Sequence, residues 1–327
     1  MTTMRTILAF VLAAALAAPI QAAAQEAYKI GAIFSITGPG SSLGIPERDT
    51  ALMLEGEINA KGGIKGPDGK MRPLKIVIYD DASDETKAVL AAKKLIDEDK
   101  VTAIVGTTLS GTSLAILDTV QKAEVPLVSC AAAIKIVEPV AERKWVFKTP
   151  QSDFLIVGVL VDYFKAKGFE KVGWLNVDYA FGQLGWIEFE KAMQKAGLQI
   201  VANEKFGQKD VDMTAQLTRV KAANPQAVVV WSIPPSASIA TKNYADLGIK
   251  APLFQSHGVG PGANGVVFPA GKLLVAEHLS DNDPQKAVLL AYAKDFEAKY
   301  GSRNTFGGHA WDAIKLVAGA MERAGTD

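Results

Sequence analysis

The sequence predicts an α/β fold in which two similar lobes, each built on a parallel sheet, are joined by a hinge. Three observations predict it. Short β-rich runs alternate with longer helical patterns from residue 28 onward, which signals βαβ units and parallel strands. The spacing repeats, because Ile76 and Ile104 are 28 residues apart and so are Ile200 and Val228. The opening tripeptides also rhyme, Lys-Ile-Gly at 29–31 against Lys-Val-Gly at 171–173. One large doubly wound sheet would alternate strand and helix too, but matched spacing of four strands favours a unit used twice.

In the first copy, residues 28–34, 74–79, 103–106 and 126–129 read as strands, being short runs rich in Ile, Val, Leu and Tyr. Helical spacing of apolar residues covers 50–60, 88–98 and 114–122. The second copy repeats the order with strands at 171–175, 198–202, 227–231 and 252–255, and helices at 186–196 and near 215–223. At the junctions, residues 145–150 and 273–277 are short β runs where the chain can pass between lobes, so a multi-strand hinge is expected. The helical stretches 285–300 and 310–324 follow the second copy and are expected to return to the first lobe. Lobe 1 is therefore expected over 25–148 plus 279–327, and lobe 2 over 149–278.

Ahead of this lies a basic start, an almost entirely apolar run at 7–18, and the small residues Ala22, Ala23 and Ala24. That pattern predicts a secretory signal peptide over 1–24, cleaved after Ala24. The apolar run is short of the ~20 residues that span a bilayer. A lipoprotein would need cysteine at the cleavage point, and the single cysteine is Cys130. The 327 residues carry 35 basic and 35 acidic side chains, so no global field is available to hold a polyanion, and nucleic acid is not an expected partner. One cysteine cannot form an intramolecular disulfide or a Cys-based zinc site.

The string Gly-Pro-Gly-Ala-Asn-Gly at 260–265 matches G-x-G-x-x-G, but Val-Val-Phe-Pro follows where a phosphate-binding helix must start. The glycines at 38, 40 and 44 follow a strand, yet the third is one place late and Pro46 interrupts the approach; this reads as a loop whose amides can reach a small ligand. There is no P-loop and no H-E-x-x-H. His257, His278 and His309 are too scattered for a helix-based metal site, so no metal, no cofactor and no catalytic residue is expected.

In open parallel sheets, ligands bind beyond the carboxyl ends of the strands. The loops to read are therefore 35–44, 107–113, 130–134, 178–182, 232–236 and 256–262. The 107–113 loop, Thr-Thr-Leu-Ser-Gly-Thr-Ser, is hydroxyl-rich and opens a helix, which suits either a carboxylate site or ordinary N-capping. Cys130 lies in one of these loops as a ligand-facing or a space-filling residue.

Residues 57–66, Glu-Ile-Asn-Ala-Lys-Gly-Gly-Ile-Lys-Gly, followed by Ile-Tyr-Asp-Asp-Ala-Ser-Asp at 78–84, resemble the branched-chain amino-acid receptors of bacterial ABC importers, the type I periplasmic binding proteins. The resemblance covers the chain from Tyr28. It implies two flavodoxin-like lobes that close on a solute and deliver it to an ABC permease in the inner membrane. It also implies a monomeric periplasmic receptor, with a third crossover and a longer tail than this chain carries. In that family, the ligand carboxylate is held by the segments matching Leu109, Ser110, Gly111 and Thr112 and matching Ala131, Ala132 and Ala133. An aromatic ring matching Phe181 closes over the ligand, and Ser41 and Leu43 fall in the first ligand-facing loop.

The ammonium end differs. The resemblance puts His257 where amino-acid receptors carry an acid, Ala133 where a threonine is usual and Ile233 where a tyrosine is usual. A buried ammonium without a counter-charge is costly, and a histidine cannot supply one. The family's usual disulfide would fall at Ser83 and Leu109. The expected ligand is therefore a small carboxylic acid with an apolar or aromatic body, stacked on Phe181, with His257 free to bond a distal hydroxyl or second carboxyl. A solvent-facing His257 is the competing reading, and binding of branched-chain or other hydrophobic amino acids is the alternative. The rival functions are a ligand-sensing domain, which as a repressor would need an N-terminal helix-turn-helix, and a hydrolase using His257 and a serine.

Overall fold

The computed structural model of the chain describes residues 26–259 and 265–326; the expected signal peptide and most of the 260–265 glycine string lie outside the described residues. The first sheet is entirely parallel and contains β1 (Tyr28–Phe34), β4 (Leu74–Asp80), β5 (Ala103–Gly106), β6 (Leu127–Ser129) and β7 (Val146–Lys148) in the order β4-β1-β5-β6-β7. Counted along the lobe this is 2-1-3-4-5, the flavodoxin-like order. The second sheet holds β8 (Lys171–Val177), β9 (Gln199–Phe206), β10 (Ala227–Trp231) and β11 (Leu253–Gln255), again parallel, in the order β9-β8-β10-β11. A short antiparallel hairpin, β2 (Ile64–Lys65) with β3 (Met71–Arg72), is inserted before β4.

The sequence repeat survives to the level of register. Ile30 lies opposite Ile76 and Gly31 opposite Ile104, while Val172 lies opposite Ile200 and Gly173 opposite Val228. The rhyming glycines have a common cause. A Cβ on Gly31 would sit 2.8 Å from Leu95, and one on Gly173 would sit 2.9 Å from Val220. Those residues lie on α2 (Glu85–Asp97) and α6 (Thr214–Ala222), the equivalent crossover helices of the two lobes, so glycine lets each helix settle onto its sheet.

Each sheet is covered on both faces. Over the first sheet, α1 (Ser41–Ala60) and α9 (Thr305–Ala324) pack on one side, where Ala310, Ile314 and Val317 meet Ile30, Ala32 and Val105. On the other side, α2 and α3 (Ser110–Lys122) pack through Ala92, Leu95, Ile116 and Val120. The second sheet lies between α4 (Asp153–Lys167) with α5 (Ala180–Ala196), and α6 with α7 (Ser236–Asp246). Helix α8 (Lys286–Tyr300) bonds to α1 through Tyr292 Oη, 2.8 Å from Thr50 Oγ1. Among the described residues, no helix is long and apolar enough to cross a membrane.

Three expectations need correction. The expected β run at 273–277 is a 3-10 segment, Lys272–His278, because its buried residues are Leu273 and Ala276, three apart rather than alternating. The crossings are therefore one edge strand, β7, and one 3-10 segment, not a multi-strand hinge. Helix α1 begins at Ser41, nine residues before the expected start at 50, with Pro46 inside it. Pro46 has no N–H to give the Ser42 carbonyl, and Asn304 Nδ2 donates to that carbonyl at 3.3 Å. Likewise α3 starts at Ser110 and α5 at Ala180, so three of the six expected ligand loops end in first helical turns.

Candidate functional site

The loops beyond β1, β5, β6, β8, β10 and β11 converge between the lobes on a cavity of about 30 Å³, room for about two water molecules. Around it, Leu43, Leu109, Ala132 and Phe306 of the first lobe share one apolar cluster with Phe181, Trp231 and Ile233 of the second. The lobes are thus in contact across the cleft, and a solute-sized ligand needs them to part.

Of the expected site residues, Leu43, Leu109, Ser110, Ala131, Ala132, Phe181, Ile233 and His257 line the cavity. Four do not. Ser41, the first residue of α1, is half-buried away from the cavity, its N–H donated to the Gly38 carbonyl. Gly111 faces Glu85, whose Oε1 would lie 2.5 Å from a Cβ there. The Thr112 hydroxyl lies 2.7 Å from Thr107 Oγ1 and 3.0 Å from the Leu109 carbonyl, turned back into its own loop. Ala133 packs in the first lobe's core, but its N–H points to Ser110 Oγ at 3.4 Å and so helps to fix that side chain.

Ser110 opens α3, and the first amides of a helix have no intrahelical acceptor. The residue at the N-cap is Leu109, and no side chain caps the helix. The hydroxyls of Thr107, Ser113 and Ser129 bond to one another at 2.8 Å instead, so the capping reading of this loop is set aside. The 13-residue helix has an uncapped, buried N-terminus carrying the positive end of its dipole, and its first residue, Ser110, lines the cavity.

The opposite wall is aromatic. Phe181 lies 5.7 Å from Trp231 and 5.5 Å from His257, and Trp231 stacks on Trp174 at 5.4 Å. Helix α5 brings Phe181 in by running its first turn hard against β8: a Cβ on Gly182 would lie 1.8 Å from the Val177 carbonyl oxygen. Gly182→Ala is therefore expected to push α5 outward, costing ~1–3 kcal/mol in urea unfolding and displacing Phe181, readable as weaker ligand binding.

His257 is buried, and neither ring nitrogen has a partner. Burial pushes its pKa down to about 3, helped by His309 and Lys148 nearby, so the ring is neutral at pH 7. His309, from α9, is held neutral in the same way at about 4. Lys148 stands behind the cavity with Nζ donating to the Pro150 carbonyl at 2.6 Å; burial lowers it to about 8, while burial raises Asp153 to about 7 against the pull of Lys148. Among the described residues, no Asp, Glu, Lys or Arg lines the cavity.

Sequence reasoning did not assign Thr108, Pro150, Tyr179, Gly258, Phe306 or His309 to the site, though they also line it, and left Cys130 open. Thr108, Tyr179 and Gly258 lay within loops already singled out. Phe306 and His309 come from the first turns of a helix with no loop signal. Cys130 is buried and burial pushes its thiol up, so it fills space as an uncharged side chain.

The family described as "Periplasmic binding protein" matches residues 27–327. The leucine-, isoleucine-, valine-, threonine- and alanine-binding protein of Pseudomonas aeruginosa is 25% identical over 308 residues, covering 92% of this chain and 80% of that protein. An extracellular ligand-binding receptor from Rhodopseudomonas palustris HaA2 has the same fold at a TM-score of 0.80 and 28% identity, covering 90% of this chain and 81% of its own. At 22% identity, a solute-binding protein of an ABC transporter from Rhodopseudomonas palustris BisB5, in complex with 3,4-dihydroxybenzoic acid, shares the fold alone at a TM-score of 0.77, with coverage of 90% and 80%. With two flavodoxin-like lobes, an interlobe cavity and a family match across residues 27–327, the chain belongs to the type I periplasmic binding proteins of the branched-chain amino-acid receptor family.

Proposed function

We propose that this protein is the extracytoplasmic receptor of an ABC importer and that it captures a small carboxylic acid with an apolar or aromatic body. The ligand lies between lobe 1, residues 25–148 plus 279–327, and lobe 2, residues 149–278, and is passed to a permease. One observation carries the choice of ligand: the cavity is lined by Ser110, at the uncapped N-terminus of α3, and among the described residues by no acidic side chain. A carboxylate finds donors there, whereas the ammonium of an amino acid would be buried without a counter-charge. Phe181, backed by the buried Trp231, offers a ring, and the neutral His257 offers one donor and one acceptor to a hydroxyl at the ligand's far end. The dihydroxybenzoic acid held by one protein of this fold supports an aromatic acid as a solute that the fold can enclose. The amino-acid reading rests on the Pseudomonas relative, a leucine-, isoleucine-, valine-, threonine- and alanine-binding protein.

A thermal-shift comparison separates the two. At 100 times its dissociation constant a ligand adds ~2.7 kcal/mol, a rise in Tm of roughly 4 °C for a chain of this size. 4-Hydroxybenzoate is expected to give that shift and leucine none. A shift with leucine alone returns the site to the amino acids.

A further inference from the structure

Beneath the carboxylate end of the cavity lies a pair of buried acids that the ligand reading does not use. Glu47, on α1, is fully buried; one carboxyl oxygen meets the Thr108 hydroxyl and the other, Oε1, has no partner. Asp81, at the end of β4, accepts from the Ser35 hydroxyl at 2.7 Å and the Ser83 N–H at 2.8 Å through Oδ1, while its Oδ2 has no partner. Cys130 beyond β6 and Asp312 on α9 are the other titratable neighbours of this pocket, and none of the ion pairs among the described residues brings a cation to Glu47. Two neighbouring acids without a cation cannot both be charged in a dry interior. Burial and the charge of Asp81 hold the Glu47 carboxyl well above the usual range.

Thr108 connects this pair to the cavity, which it lines next to Ser110. Its hydroxyl oxygen already accepts the Ser35 N–H at 2.9 Å. With Glu47 ionised, the one hydroxyl proton of Thr108 is committed to the carboxylate. With Glu47 protonated, the acid donates to Thr108 Oγ1, both lone pairs of that oxygen are filled, and its own proton must find another acceptor. We infer that Glu47 is a positioning residue whose retained proton turns Thr108 into a hydrogen-bond donor toward the ligand carboxylate. No proton is transferred; it stays on Glu47, and the carboxylate gains a donor besides α3. The inference rests on the carboxylate reading of the site, whichever acid that site holds.

The test joins infrared spectroscopy to calorimetric titration with benzoate and with leucine, both of which carry a carboxylate. The spectrum of the wild type minus that of Glu47→Gln at neutral pH is expected to show a protonated-carboxyl C=O band, and that band is expected to move when ligand is added. Thr108→Val is expected to weaken binding about tenfold and to abolish the movement, since it loses one hydrogen bond to a charged group, and Thr108→Ser is expected to restore both. A deprotonated Glu47, or a folded Thr108→Val variant that binds as tightly as wild type, overturns the relay. Should leucine bind and benzoate not, the aromatic-acid reading falls while the relay is read with leucine. Binding of neither overturns both.

Discussion

His257→Asp is expected to weaken binding of an aromatic acid about a hundredfold while leaving the two-lobed fold intact. The neutral ring stands 5.6 Å from Trp231 and 5.5 Å from Phe181, facing the cavity that the carboxylate enters. A carboxylate in its place sets a like charge against the ligand; at ~6 Å and an effective dielectric of 20 the repulsion is ~3 kcal/mol, or about a hundredfold in affinity. Burial would raise the pKa of the new acid, so the titration belongs at about pH 8, where the side chain is ionised. His257→Gln keeps a neutral donor and acceptor and is expected to lose far less. Calorimetry on both variants, with circular dichroism to confirm folding, separates charge from shape. Equal losses for Asp and Gln would count against a neutral His257 as the reason for the ligand choice.

Phe181→Ala carries the second large effect and splits between stability and affinity. The ring is 5% exposed and belongs to the cluster that joins the lobes, with Leu43, Leu109 and Phe306 on the far side. Truncating a buried phenylalanine costs ~3–5 kcal/mol when the surroundings cannot relax. Here they can, because the ring lies between two bodies that part, so the loss in urea unfolding is expected at or below the low end of that range. Binding suffers more, since both ring stacking and the cover over the ligand are lost. Phe181→Leu is expected to recover stability but not affinity for an aromatic acid. Recovery of both would reduce Phe181 to a packing residue.

The architecture was legible because its signals are local and repeated. Strands such as 103–106 and 227–231 are short apolar runs whose ends agree with β5 and β10. The 28-residue spacing became the same register in both sheets. Helix starts were not legible, since Ser110, Ala180 and Ser41 open helices inside stretches whose glycines, serines and proline look like loop. Helix α4 went unread because residues 154–161 are apolar or glycine without a break, so no stripe marks a face. The same blindness turned 273–277 into a strand.

In the site, Ser110, Phe181 and His257 were found because strand ends point to them. Phe306 and His309 were missed because they lie ahead of 310, where the helix was expected to begin, in the first turns of α9. Burial of His257 was equally invisible. A loop histidine facing solvent was the competing reading, and its neutrality follows only from its surroundings.

The central claim is that the cleft takes a carboxylate and offers nothing to an ammonium. Its most direct test is a calorimetric competition at neutral pH between leucine and 4-hydroxybenzoate on the purified protein, with the ligand recovered afterwards for chemical identity. Saturable binding of 4-hydroxybenzoate, recovered unchanged and undisturbed by excess leucine, is the predicted result. Tight leucine binding that excludes the aromatic acid would contradict it.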